Sequence, residues 1–205
     1  LDFKAQQDGR AVVTIMGDVA ASGAYYVALA SDHILAHPTT ITGSIGVIMQ
    51  SYNIKELAQK LGIHDVTIKS GENKDMLNPF RDVKPEQTEM MQKLISAMHE
   101  RFVGLVAENR GLEKAAVLPL ADGRVFMADE ALRCKLIDGI GYNEDARRKM
   151  AELLDTGAVK VFRYDEQVTL MDLFAPRPGI GVHLDLDKLR LDSVGGVKLM
   201  YRWEW

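Results

Sequence analysis

Two short apolar runs constrain this chain most: "AVVTIM" (Ala11 to Met16), closed by Gly17 and Asp18, and "HILAH" (His33 to His37), ended by Pro38. Runs of this length bounded by turn residues suit buried strands. Between them "SGAYYVALAS" reads as a helix. The alternation continues downstream, which makes the class α/β. "TTITGSIGVIM" is a β-rich run broken by Gly43 and Gly46, and "SYNIKELAQKLG" predicts an amphipathic helix that stops at Gly62. "HDVTIKSG" predicts another strand, with Lys69 embedded in it, and "GENKDMLNPFRD", rich in Gly, Asn and Pro, predicts a surface loop. The longest helical pattern runs from Pro85 to Glu108, with the proline in its first turn. "ADGRVFMADEALRCKLIDGIG" adds a short strand and a helix starting near Ala128, and "NEDARRKMAELL" one more helix.

After Asp155 the character changes. "VKVFRYDE" predicts a further strand, Pro176 and Pro178 mark a break, and the chain ends in the aromatic "YRWEW". Residues 1–155 are therefore expected to form the main domain, and 156–205 an extension packing on it or on a neighbouring subunit. There is no internal repeat.

Charge narrows the partners. A net charge of −4, with lysines and arginines scattered along the chain, offers no basic field for a phosphate backbone and points away from nucleic acid. Apolar runs such as "AYYVALA" fall far short of the ~20 residues of a membrane span. The single cysteine, Cys134, excludes an internal disulfide framework and is expected to be a small buried hydrophobe.

Ser22 stands at a strand-to-helix turn among Ala20, Ala21, Gly23 and Ala24. A serine there has an ordinary role as helix N-cap, its oxygen accepting from first-turn amides. The same place suits a nucleophile: an exposed hydroxyl beside the Gly23 N–H could attack a carbonyl while that donor holds the developing oxyanion. A nucleophile needs a base. His33 and His37, four apart in a strand, lie about 13 Å from each other and cannot chelate one ion. His64 and His99 read as surface or boundary residues, and no Cys/His/Asp cluster has metal spacing. Neither a metal nor a cofactor is expected.

The string "GDVAASGAYYVALASDHILAHPTTITGSIGVI" resembles the signature of the S49 serine peptidases, the signal peptide peptidase A family. "IKSGENKDMLNPFRD" is similar to that family's base-bearing loop, and "DGRVFMADEALRCKLIDGIG" to its downstream segment. The likeness covers residues 11–150 in order and spacing. It implies a Clp-protease/crotonase-like fold and a Ser-Lys dyad in which Ser22 is acylated and Lys74 is the base, with Ser44 of "TGSIG" bonding the lysine amine and Gly23 in the oxyanion hole. Lys69 ranks second as base, and Asp32, Tyr25 and Tyr26 are left to packing and capping. A lysine ordinarily titrates near ~10.4, so one acting as a base must be desolvated in a closed site, which can lower it by roughly three units.

The resemblance further implies peptide substrates, specifically apolar signal-peptide remnants, a homo-oligomer, and a bacterial cell-membrane location with the catalytic domain extracytoplasmic. The family's "PGG"-type loop, which supplies a second oxyanion amide, is not found before "LDFKAQQDGR", so an N-terminal part with its membrane anchor is expected to be missing. A phage-type S49 capsid-maturation peptidase and an inactive oligomeric scaffold of the same fold fit the same residues. A Clp-type triad does not, because Val47 stands where its histidine would fall, and a crotonase-type site lacks glutamates beside Ser22 and Ser44.

Overall fold

The computed structural model describes residues 11–162. The chain divides after Gly157 into two compact units, the second described only over 158–162. The extension expected over 156–205 thus lies, from residue 163 onward, outside the described residues, as do Pro176, Pro178 and residues 1–10. Residues 159–162 form no strand.

The α/β class is observed, in the form of a chain that feeds two sheets in turn. β1 (Val13–Met16) passes through Gly17 and Asp18 directly into β2 (Val19–Ala21). Helix α1 (Gly23–Ala28) returns the chain to β3 (His33–Ala36), which leads into β4 (Ile41–Gly43). β1 pairs parallel with β3, and β2 parallel with β4, so consecutive passes stack strand on strand. The ladder also spans the corner between the sheets: His37 N–H donates to the Met16 carbonyl at 3.1 Å, and Ile41 N–H to Asp18 at 2.9 Å. β5 (Val125–Met127) joins β4 antiparallel, and β6 (Gly139–Ile140) joins β3 parallel. The sheets are ordered β1-β3-β6 and β2-β4-β5.

Five further helices among the described residues frame them. α2 (Lys55–Lys60) ends just before Gly62, where φ of +69° favours glycine. α3 (Pro85–Arg110) has its proline at the start and a left-handed Gly111 cap. A short α4 (Lys114–Val117), α5 (Ala128–Arg133) and α6 (Asn143–Leu153) follow. Only the last third of α3 enters the core, where Phe102, Val103, Val106 and Ala107 pack with Tyr25, Leu29, Ile34, Phe126 and Leu136. Tyr26 meets the Phe102 ring edge-on at 5.1 Å. Earlier in α3, Met90, Leu94 and Met98 are each about half exposed.

Two expectations need correction. "HDVTIKSG" is not a strand: Ile68 is 96% exposed, and among the described residues no backbone pairs with this segment in a sheet. β-branched residues supply propensity, but a strand is stabilised by its partners. Cys134 is half-buried against the core instead of fully buried, since it caps the exposed end of α5.

Asp138 locks the far side of the core. Its carboxylate accepts two bonds from Arg110, at 2.6 and 3.0 Å, and one from the Ile34 N–H at 2.7 Å. Arg110 also donates to the Lys135 carbonyl. Burial works to raise the Asp138 carboxyl, yet the Arg110 guanidinium and the Ile34 amide hold it below the usual carboxylate range. A depressed carboxyl contributes stability above its unfolded pKa and loses it as pH falls through the folded value. Asp138→Asn should therefore cost roughly 2 kcal/mol at neutral pH in denaturant unfolding. The gap between variant and wild type should close as pH drops below about 4.

Candidate active site

The pairing of β2 with β4 sets Ala21 opposite Gly43, so the next residues, Ser22 and Ser44, leave adjacent strand ends together. The Ser22 N–H donates to the Gly43 carbonyl at 2.7 Å, and the Ser44 N–H to the Arg124 carbonyl at 2.8 Å. Both serines have positive φ, 51° and 50°, a conformation that disfavours any side chain. Ser22 has ψ of −115° and occupies the N-cap position of α1, but its side chain makes no capping bond. The ordinary reason for a serine at this turn is thus not realised. Such strained backbone costs on the order of 1–3 kcal/mol and persists where the surroundings over-determine it.

Those surroundings are identifiable. After the turn, the Tyr26 N–H closes the first helical bond onto the Ser22 carbonyl at 2.9 Å. The buried Tyr25 hydroxyl donates to the Leu136 carbonyl at 2.9 Å, and burial pushes this phenol well above its ordinary value. Tyr25 therefore ties α1 to the segment that Asp138 anchors, a role beyond the packing expected of it. Before the turn, Gly43 has φ of +80°, and a Cβ there would meet Phe126 Cδ2 at 2.4 Å. The Phe126 ring lies against the bare α-carbon of the residue whose carbonyl holds Ser22.

Ser22, Gly23 and Ala24 are exposed, and Ser44 is half-buried. A Cβ on Gly23 would meet nothing within 4 Å, so the space over the turn is open. As the first residue of α1, Gly23 has an N–H with no acceptor one turn back. The arrangement offers an exposed serine, a helix-start amide beside it and a second serine at the end of the neighbouring strand.

Lys74 lies in a 3-10 turn, Glu72–Asp75, within an exposed loop. Its neighbours are fixed: the Gln87 amide bonds Asn73 at 3.2 Å, and Asp75 accepts from Lys69 at 2.6 Å and from Arg81 at 2.9 Å. The Lys69 bond, above all, holds the Asp75 carboxyl below its usual range. Lys69, expected inside a strand, is instead part of this brace, donating also to the Glu72 carbonyl. Among the described residues, no hydrogen bond or ion pair joins Lys74 to Ser22 or Ser44. The structure brings the two serines and Gly23 together and presents Lys74 separately on a braced loop. His33 approaches Asp138 at 3.9 Å, the His37 ring lies tilted against Tyr142, and His99 bonds the Ala121 carbonyl. No group of metal-binding side chains occurs among the described residues.

The sequence signalled Gly43 only as a strand breaker and left Thr42 unremarked. An available signal was the alternation in "TTIT", which turns Thr40 and Thr42 inward, fully buried, and Ile41 outward.

Residues 4–157 match the family model described as "Peptidase family S49". The chain is 38% identical over 158 residues to a provisionally named signal peptide peptidase SppA of Enterococcus faecium, covering 77% of this chain and 46% of that protein. It is 41% identical over 150 residues to a provisionally named protease of Synechocystis sp., covering 73% and 54% respectively. It is also 30% identical over 169 residues to Protease 4 of Salmonella typhi, covering 82% and 27%. The chain spans about half the length of the first two relatives.

Gly43→Ala should destabilise by roughly 2 kcal/mol or more, from the Phe126 clash together with the unfavourable φ. Combined with Phe126→Leu the losses should be less than additive in urea unfolding. Full additivity would place the cost in the backbone alone.

Proposed function

The chain belongs to peptidase family S49, and we propose that it acts as a serine endopeptidase with Ser22 as nucleophile and Lys74 as general base. The observation that carries this reading is Ser22 itself, exposed and backbone-strained, with a hydroxyl that does no capping. In the first step the Ser22 Oγ–H proton passes to the neutral lysine amine while Oγ bonds the scissile carbonyl carbon. The Gly23 N–H faces the oxyanion, and Ser44 orients the amine. The ammonium then protonates the leaving nitrogen as the C–N bond breaks, giving an acyl-enzyme and a free amine. Water, deprotonated by the same amine, releases the acid and restores Ser22.

The lysine comes from a neighbouring copy of the chain. Its loop is exposed and braced, with large apolar residues flanking it in sequence: Ile48, Tyr52, Leu57, Leu61, Val66 and Ile68 are more than half exposed. Surfaces of this kind are buried by association. Packing a neighbour over the turn also removes water from the lysine, which a lysine base requires. The substrates we infer are apolar peptides such as signal-peptide remnants. The place of action is the bacterial cell membrane, with this domain on its extracytoplasmic side. No helix among the described residues is long and apolar enough to cross a membrane.

A fluorophosphonate probe should label Ser22, and Ser22→Ala should abolish labelling. An adduct mapped to Ser44 or Ser70 overturns the assignment, and absence of labelling in a verified oligomer favours the inactive scaffold. Lys74→Ala and Lys74→Arg should both be inactive but folded, since a guanidinium keeps its proton. Co-expressing Ser22→Ala with Lys74→Ala should restore about a quarter of wild-type turnover if each site draws on two chains in a closed ring. Background turnover in a verified mixed oligomer would instead place the dyad within one chain.

A further inference from the structure

We propose that Thr42 is a positioning residue for the Ser22 nucleophile, an inference that rests on the reading of Ser22 given above. Thr42 is completely buried on β4, and its hydroxyl donates to the Ala20 carbonyl at 2.7 Å. Ala20 lies two residues before Ser22 on β2. The residue after Thr42 is Gly43, whose carbonyl takes the Ser22 N–H. Adjacent residues of β4 thus hold the strand on both sides of Ala21, one through a side chain and the other through the backbone. The brace acts on the last residues before the chain enters its positive-φ turn.

A buried threonine hydroxyl always needs an acceptor, and Thr40 shows the ordinary case. It is equally buried, but it donates to Met16 and Gly17, at the corner where β1 passes into β2. That bond secures the join between sheets, five residues and more before Ser22. The Thr42 bond falls where a small displacement is carried directly to the reacting oxygen. A shift of about 1 Å at a reacting group can slow a reaction on the order of a hundredfold. Valine matches threonine in shape, so Thr42→Val removes the donor while keeping the strand packed, and leaves the Ala20 carbonyl without it.

The test uses the full chain and two readings. The first is the rate of Ser22 phosphonylation by a fluorophosphonate: Oγ bonds phosphorus, fluoride leaves, and the hydroxyl proton goes to the base. Thr42→Val should slow this at least about tenfold, and Thr42→Ser, which keeps the hydroxyl, should restore it to within about threefold of wild type. Thr40→Val should lose comparable stability but keep the wild-type rate. The second reading is Ser22 itself in crystal structures of wild type and Thr42→Val, where the variant should show a displaced turn or a relaxed φ. Equal rates for Thr42→Val and wild type, a Thr40→Val as slow as Thr42→Val, or an unmoved Ser22 would each overturn the proposal. If Thr42→Val does not fold, Thr42→Ala is read in the same way. A wild-type chain that fails to react counts against Ser22 as nucleophile, whereas the position of Ser22 in the variant crystal still decides the brace.

Discussion

The hydrogen bond from the Ser22 amide to the Gly43 carbonyl organises the site. It continues the β2–β4 ladder one residue past the end of β2 and so brings Ser22 into register beside Ser44. Everything near it serves that register. Gly43 must lack a side chain because Phe126 occupies its Cβ position, and Phe126 is held by β5 on the far edge of the same sheet. The strain at Ser22 is tolerable because it is spread over a ladder bond, a helix start and a tyrosine anchor.

The chain uses its residues unevenly. From β1 to β4 and again from Phe102 to Ile140, apolar side chains are buried in one continuous core. Between them, residues 48–98 carry many large apolar groups and bury few. Burying one such side chain fully is worth about 1.5–3 kcal/mol, so this stretch forgoes much of the stabilisation its composition could supply. Local ion pairs hold it in shape instead. Arg81 joins Asp65 to Asp75, Lys55 binds Asp82, and Lys84 binds Glu72. Exposed pairs of this kind contribute little each, and their service is to fix a loop.

What could be read from the sequence follows this division. "AVVTIM" and "HILAH" were legible because short apolar runs report burial directly, and the helix from Pro85 because of its proline start and unbroken length, although its first two-thirds bury little apolar surface. The false strand at "HDVTIKSG" has the same β-branched pattern as a true one and differs only in having no backbone to pair with, which a local reading does not contain. Ser22 could be singled out by its place between a strand and a helix, and Ser44 by resemblance, but the positive φ they share is a tertiary outcome. The Asp138–Arg110 lock joins residues 28 apart in sequence, and Tyr25 bonds a carbonyl 111 residues away. Neither link leaves a periodic trace.

The two-sheet spiral also determines where the chain can change length. The links from β1 to β2 and from β3 to β4 are short and bonded to each other across the corner, through His37, Thr40 and Ile41. One residue added to either link would slip β2 against β4 and turn every side chain on the shifted strand to the opposite face. Ser22 and Ser44 would part company although neither had been altered. Residues 47–54 form no helix or strand, so an added residue there would disturb no ladder. The two corner links therefore admit no added residue, whereas the exposed stretch that follows Ser44 can take one.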